Sequence, residues 1–295
     1  MQQPRQSDNR SRLGESPAPI RLGCFVLTLL LLWAPFAAPI YLLVDDTNWE
    51  SIITMVLLYG EFIFLVRLWG KYVYKQPRIL RDYGLKFTGR NGADLLRGLV
   101  FGIIIVLSLF GLEGLLGWLV WQQGEVFLPS LILEGLVVSL GVGFAEELLF
   151  RGWLLDELQR DYGLTKAGWL NALLFALLHF IKPFSEILRT LPQFAGLFLL
   201  GLTLVWAKRW RRGRLGLPIG FHAGLVWGYY IINVGSLIKY SNTVPEWVTG
   251  INSNPLAGVV GLVFLSAIAL MVRKLAMSGK TPQRTPDRLT LPPSS

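Results

Sequence analysis

The stretch that decides the fold is residues 131–153, LILEGLVVSLGVGFAEELLFRGW. Its first part is almost wholly apolar, and Glu146, Glu147 and Arg151 then follow within six positions. An apolar run of about 20 residues can cross a bilayer as a helix. Ionisable residues are costly inside a membrane and are therefore functional candidates. The stretch predicts a membrane helix that carries chemistry.

The composition of the whole chain agrees with a membrane protein. Of 295 residues, 53% are hydrophobic and only 16% are charged, whereas soluble domains are about a quarter charged. This excludes a disordered chain and an ordinary soluble protein. The one cysteine, Cys24, excludes a disulfide framework and a cysteine-rich zinc site.

Apolar runs predict an all-α polytopic integral membrane protein of about eight transmembrane helices. The fourth run is too long for one crossing, and its amphipathic second half should extend beyond the bilayer. The flanks 1–20 and 276–295 are rich in Pro, Ser, Gln and Arg and are expected to be disordered tails around a transmembrane domain of residues 21–275. The eight predicted stretches are 22–44, 51–70, 97–121, 131–160, 165–181, 191–207, 215–235 and 254–272.

Basic residues predict the orientation. With a cytoplasmic N-terminus and eight crossings, the inner segments hold 23 Lys and Arg residues, and the outer loops hold three, Lys182, Arg189 and Lys239. Cytoplasmic loops carry such an excess, so both termini are expected in the cytoplasm. The net charge of +9 then reflects topology and contact with the lipid bilayer, and nucleic acid is excluded as a partner. The expected location is a bacterial plasma membrane, with an organellar membrane as the alternative.

Two adjacent carboxylates are predicted to have different roles. Glu147 and Arg151 are four residues apart and share a helix face, so they are expected to pair. Glu146 points elsewhere and has no local cation, which leaves it able to act as a base. The alternative is that both carboxylates form salt bridges that only stabilise packing.

Both histidines lie in apolar runs. Glu147 is 16 residues before Gly163 and His179 is 16 residues after it, so an antiparallel hairpin at Gly163 would place them at similar depth. His222 lies about eight residues into the predicted helix 215–235, counted from the basic cluster 208–214, which is on the same side of the membrane as the Gly163 turn. Two imidazoles and the carboxylates would then form a site, open to the cytoplasm, that binds a metal or activates a water.

These motifs resemble the CAAX protease and bacteriocin-processing family of intramembrane proteases, also called the Abi family. The resemblance rests on Glu146-Glu147-x-x-x-Arg151, on Phe175-x-x-x-His179 and on His222, and it covers a core of residues 131–235. It implies an endopeptidase of the type II CAAX prenyl endopeptidase kind.

In this resemblance Glu146 activates water with help from His179 and His222, while Glu147, Arg151 and Phe175 support them. The implied substrate is a membrane-bound peptide or protein, prenylated in CAAX processing. Bacterial members are often called metalloproteases, and a divalent metal such as zinc is compatible with the donors but is not required by the sequence.

One position departs from the family pattern. The family usually has a polar residue, often Asn, four positions after the second histidine, and this chain has Val226. Asn233 lies on nearly the same face but some three turns away, which makes it a poor substitute for stabilising an oxyanion. Two other functions therefore stay open: an inactive membrane scaffold or immunity-type protein of the same fold, and a proton-coupled transporter.

Overall fold

A computed structural model describes residues 11–124 and 127–278, and these are mostly helical. Two short strands, β1 (Leu119–Trp121) and β2 (Ile238–Tyr240), form an antiparallel ribbon with Val120 opposite Lys239. Short helices are α3 (Ile79–Asp82), α7 (Phe184–Thr190) and α10 (Glu246–Thr249). The long helices are α1 (Ala18–Leu43), α2 (Thr47–Tyr72), α4 (Gly89–Leu115), α5 (Leu128–Glu147), α6 (Leu155–Leu178), α8 (Gln193–Trp210), α9 (Gly216–Val234) and α11 (Val259–Ser278).

The chain is an integral membrane protein of the all-α class, as predicted. Five helical stretches are long and apolar enough to cross a bilayer, and a sixth is added if the bent pair α7 and α8 is one span. The fourth and fifth predicted stretches form one helical run, Leu128–Leu178, that turns at Gly163. The backbone of Gly163 has φ of 70°, a left-handed conformation that glycine adopts readily.

Two other predicted spans differ from the structure. The helix predicted at 97–121 is shifted toward the N-terminus, because α4 begins at Gly89 and ends at Leu115, after which the chain enters β1. The stretch 215–235 forms α9, which is not among the helices apolar enough to be candidate spans. Its glycines, tyrosines and asparagine lower its hydropathy, and much of its surface faces other helices rather than lipid.

The boundaries of the two predicted tails are wrong. Residues Arg12–Glu15 form a 3-10 turn, and Ser11 N–H donates to the Val73 carbonyl over 3.2 Å. Arg21 is buried and pairs with Glu157 over 3.0 Å, which holds the start of α1 against α6. At the other end α11 continues to Ser278. The remainders of the predicted tails, residues 1–10 and 279–295, lie outside the described residues.

Glycines allow α4 and α9 to approach closely. Glycine recurs every fourth residue along α9, and a Cβ at Gly220 or Gly224 would collide with the carbonyl oxygen of Leu95 or Leu99 on α4. Small residues at this spacing are typical of tightly packed membrane helices. His222 is two residues after Gly220 and so projects from nearly the opposite side of α9. The glycine face therefore directs His222 away from α4.

Gly220→Ala is expected to lower the free energy of unfolding by about 1–3 kcal/mol, since an added methyl group in a packed interface forces the backbones apart. Thermal melting of the purified protein in detergent micelles measures this. Gly111→Ala, on the partner helix α4, is the matched control because a Cβ there meets nothing within 4 Å. Equal melting of Gly220→Ala and the parent would contradict the close packing.

Candidate active site

The hairpin at Gly163 brings the two halves of the predicted site together. Asn171 Nδ2 on the returning half of α6 donates to the Phe150 carbonyl over 2.7 Å. At the far end of the hairpin, His179 Nε2 lies 3.6 Å from Glu146 Oε2. The matched depth expected from equal spacing about Gly163 is therefore observed.

Both histidines present the same ring nitrogen to Glu146. His222 Nε2 lies 4.0 Å from Glu146 Oε2, and its Nδ1 donates to Glu147 Oε1 over 2.9 Å. His179 Nδ1 donates to the Phe175 carbonyl over 2.7 Å. A carbonyl or an ionised carboxylate can only accept, so each Nδ1 carries a proton. In each neutral ring the Nε2 lone pair is then directed to the side of Glu146.

Glu147 is fully buried and accepts hydrogen bonds from two side chains. Its Oε1 accepts from Arg151 Nη1 over 3.0 Å, the pair predicted from the four-residue spacing, and from His222. Arg151 is also fully buried, and its Nη2 donates to the Gly201 carbonyl over 3.3 Å. The bond between Glu147 and His222 was not predicted, because no local spacing connects residues 75 positions apart.

Phe175 lies between these groups. The guanidinium carbon of Arg151 is 4.1 Å from the centroid of the Phe175 ring, a cation–π contact. The same ring centroid is 4.5 Å from that of His179 and 6.2 Å from that of His222. Phe175 is fully buried, so it fixes the positions of the imidazoles and of the ion pair at once.

Glu146 has different surroundings from Glu147. Its side chain is 29% exposed, against 0% for Glu147. In the described part of the chain it forms no ion pair with Lys or Arg, and its Oε2 atom is buried without a hydrogen-bond partner. This oxygen faces the two imidazoles and is free to take a proton or bind a small polar ligand.

The backbone between Glu147 and α6 is a π-helix, Leu148–Leu154, rather than the α-helix expected from the sequence. Such turns loosen the helical hydrogen-bond ladder and occur often at functional sites. Two carbonyls in this segment accept from side chains of neighbouring helices, Phe150 from Asn171 and Arg151 from Lys208 Nζ over 2.5 Å. Lys208 is therefore buried against the site, although the sequence placed it among the basic residues of a cytoplasmic segment.

A cavity of about 350 Å³ adjoins the three residues. Its walls are mainly apolar, and Glu146, His179 and His222 lie on its surface. It extends to Lys182, next to the loop after α6, and to Asn254, before α11. The basic-residue count places both outside, so the predicted opening to the cytoplasm is not supported by these lining residues.

The two residues discussed for oxyanion stabilisation are separated in the structure. Val226 lines the cavity beside His222. Asn233 Nδ2 donates to the Tyr229 carbonyl of its own helix over 3.2 Å and is not among the residues that line the cavity. Asn233 therefore does not replace the missing polar side chain.

The donor atoms of this site bear on whether a metal ion could bind here. One carboxylate with two imidazoles is a donor set used by catalytic zinc. Among residues 11–124 and 127–278, however, no group of three His, Cys, Asp or Glu side chains is arranged so that it could hold a metal ion. We therefore assign no step to a metal.

The fold and the site define a class of protein: a helical membrane protein with a carboxylate and two imidazoles facing one another at an apolar cavity. Residues 128–228, about a third of the chain, match the family model described as "Type II CAAX prenyl endopeptidase Rce1-like". The matched segment contains all six residues of the predicted site, and it confirms the resemblance predicted from the motifs. No curated protein and no solved structure matches the chain significantly.

Proposed function

We propose that this chain is an intramembrane endopeptidase in which Glu146 removes a proton from the attacking water. The observation that carries the proposal is that His179 Nε2 and His222 Nε2 face the same unpartnered oxygen of Glu146 at 3.6 and 4.0 Å. Separations of this size can be spanned by one bridging water, which is the reach that general-base catalysis requires. Cleavage of a membrane-bound peptide by purified parent and Glu146→Gln protein tests it.

In the proposed reaction, water attacks the carbonyl carbon of the scissile peptide bond while Glu146 accepts its proton. The tetrahedral intermediate collapses as the C–N bond breaks, and the proton taken up by Glu146 is delivered to the departing nitrogen. The products are a carboxylic acid and an amine. His179, whose Nδ1–H is bound to a carbonyl, orients the water through its Nε2 lone pair.

His222 differs from His179 in its partner, because its Nδ1–H is bound to the carboxylate of Glu147 rather than to a backbone carbonyl. Carboxylate support of this kind stabilises an imidazolium. When protonated, His222 Nε2 donates to the oxyanion that forms on the substrate carbonyl. Arg151 offsets part of the charge of Glu147 and holds it in position for this task.

The proposed substrate is a peptide or protein held at the membrane, with an apolar group in the cavity. Leu109, Leu197 and Phe264 are among the apolar residues that line the cavity. A site whose walls are apolar and whose few polar groups converge at one place is typical of ligand recognition. A prenyl chain or an apolar peptide segment would suit such walls.

An inactive scaffold or immunity-type protein is a second candidate, and Val226 favours it. Loss of one oxyanion donor lowers turnover by about 10²–10³ in well-studied hydrolases, and the position next to His222 on the cavity wall has an apolar side chain here. A scaffold would keep its partner when Glu146 is replaced by Gln, whereas a protease would lose its reaction.

We propose that the N- and C-termini lie in the cytoplasm of a bacterium. We also propose eight crossings, with α9 and each half of the Gly163 hairpin counted as separate crossings. Reporter fusions after Arg90 and Arg212 should then report a cytoplasmic location, and a fusion near Glu246 an external one, since the basic residues remain inside. An external signal at Arg212 would contradict this topology.

A further inference from the structure

Another pocket, of about 460 Å³, lies at the ends of several helices and shares no lining residue with the cavity at Glu146. It is formed by the C-terminal ends of α8 and α11 and the first turn of α4. We call it the arginine pocket, and its main lining residues are Arg90, Trp210, Arg211, Arg212, Arg214 and Leu275.

A buried carboxylate holds two of these arginines in place. Asp94 is fully buried, and it accepts from Arg211 Nε and from Arg214 Nε, each over 2.8 Å. Nη2 of each guanidinium also faces Asp94. Among the described residues no partner binds Nη1 of either arginine, so both groups are preorganised and keep free donors. Guanidinium groups fixed in this way can bind phosphate by two hydrogen bonds each.

The pocket has more positive charge than Asp94 can balance. Within residues 11–124 and 127–278, Arg90 and Arg212 form no ion pair, and both are exposed. Asp94 is moreover contacted by Arg97 Nη1 at 3.5 Å, and among the described residues the four guanidinium groups of the pocket have no other carboxylate partner. An anion with several acceptor oxygens would relieve their mutual repulsion.

We propose that the arginine pocket binds the phosphate group of an anionic phospholipid. The pocket lies where three membrane helices begin or end, which is the level of lipid headgroups. Trp210 is the kind of residue that membrane proteins place at this level, and Leu275 offers an apolar surface to an acyl chain. Basic pockets between transmembrane helices on the cytoplasmic side bind such headgroups. This proposal does not depend on the proposed endopeptidase function.

The test uses the double variant Arg90→Gln, Arg212→Asn in the full chain. Arg211 and Arg214 are kept, because their loss would leave the buried Asp94 with no closer cation among the described residues than Arg97, whose Nη1 lies 3.5 Å away. Asn is chosen at position 212 because the backbone there is left-handed, with φ of 54°, a conformation that Asn tolerates. Phosphatidylglycerol, phosphatidylcholine or inorganic phosphate is titrated into the purified protein in neutral detergent, and thermal melting is recorded.

Phosphatidylglycerol should raise the melting temperature of the parent more than phosphatidylcholine does, and the double variant should need at least about tenfold more of it for the same shift. The matched control is Lys71→Gln, Lys75→Asn, which removes the same charge and includes a left-handed position, Lys75 with φ of 56°. The control should respond as the parent does. An unchanged response of the arginine variant overturns the proposal, and so does equal protection by inorganic phosphate, which would indicate a site for a soluble anion.

Discussion

Glu146→Gln should lower the rate of peptide cleavage by about 10²–10⁴-fold, the range that a general base contributes. An amide of the same shape cannot accept a proton from water. The fold should be preserved, because Glu146 is partly exposed and pairs with no Lys or Arg in the described part of the chain. The measurement is kcat/KM of the purified protein on a membrane-anchored peptide, together with thermal melting.

Glu134→Gln is the matched control for this prediction. Glu134 is on the same helix, α5, but is exposed and accepts from Tyr230 rather than facing the histidines. Its variant should cleave as the parent does. A chelator added to the same assay tests whether a divalent metal takes part in cleavage. Substantial cleavage by Glu146→Gln would refute the proposed base, and no cleavage by the parent with partner binding retained would favour the scaffold.

Arg151→Ala should lower the free energy of unfolding by about 3–5 kcal/mol, the usual cost of leaving one member of a buried ion pair alone. The change strands Glu147, which is fully buried, and it removes the cation–π contact with Phe175. Denaturation of the purified protein in micelles measures the loss.

The double variant Glu147→Gln, Arg151→Met separates the stranded charge from lost packing. The amide introduced at position 147 can still accept from His222, and no buried charge remains, so much of the stability lost in Arg151→Ala should return. Arg151→Ala with the stability of the parent would show that the pair is not structural. If the double variant does not regain stability, the loss in Arg151→Ala comes from packing around Phe175 and not from the stranded charge of Glu147.

The parts of the site that follow from local spacing could be predicted. The pair of Glu147 and Arg151 follows from a separation of four on one helix, and the depth of His179 follows from its distance to Gly163. These inferences need only helix geometry and one turn.

The parts that depend on contacts between distant segments could not be predicted. The bond from His222 to Glu147 requires the crossing of α9 over α5, which periodicity does not specify. The π-helix after Glu147 has no pattern in the sequence that distinguishes it from an α-helix. The pairing of Arg21 with Glu157, which holds the start of α1 against α6, was not predicted. Basic residues near a helix end were assigned to lipid headgroups instead.

The glycine repeat of α9 leaves the longitudinal alignment of this helix weakly determined. A surface that repeats every four residues looks much the same after a slide of four residues, about 6 Å along the axis, and such a slide would carry His222 out of reach of Glu146. Asn91 acts as a stop against it: its Nδ2 donates to the Lys86 carbonyl over 3.0 Å, and its Oδ1 accepts from the Gly216 N–H over 2.8 Å. The alignment of α9 is thus fixed in part by an amide side chain of α4 that binds the first residue of α9, about two turns before the imidazole of His222.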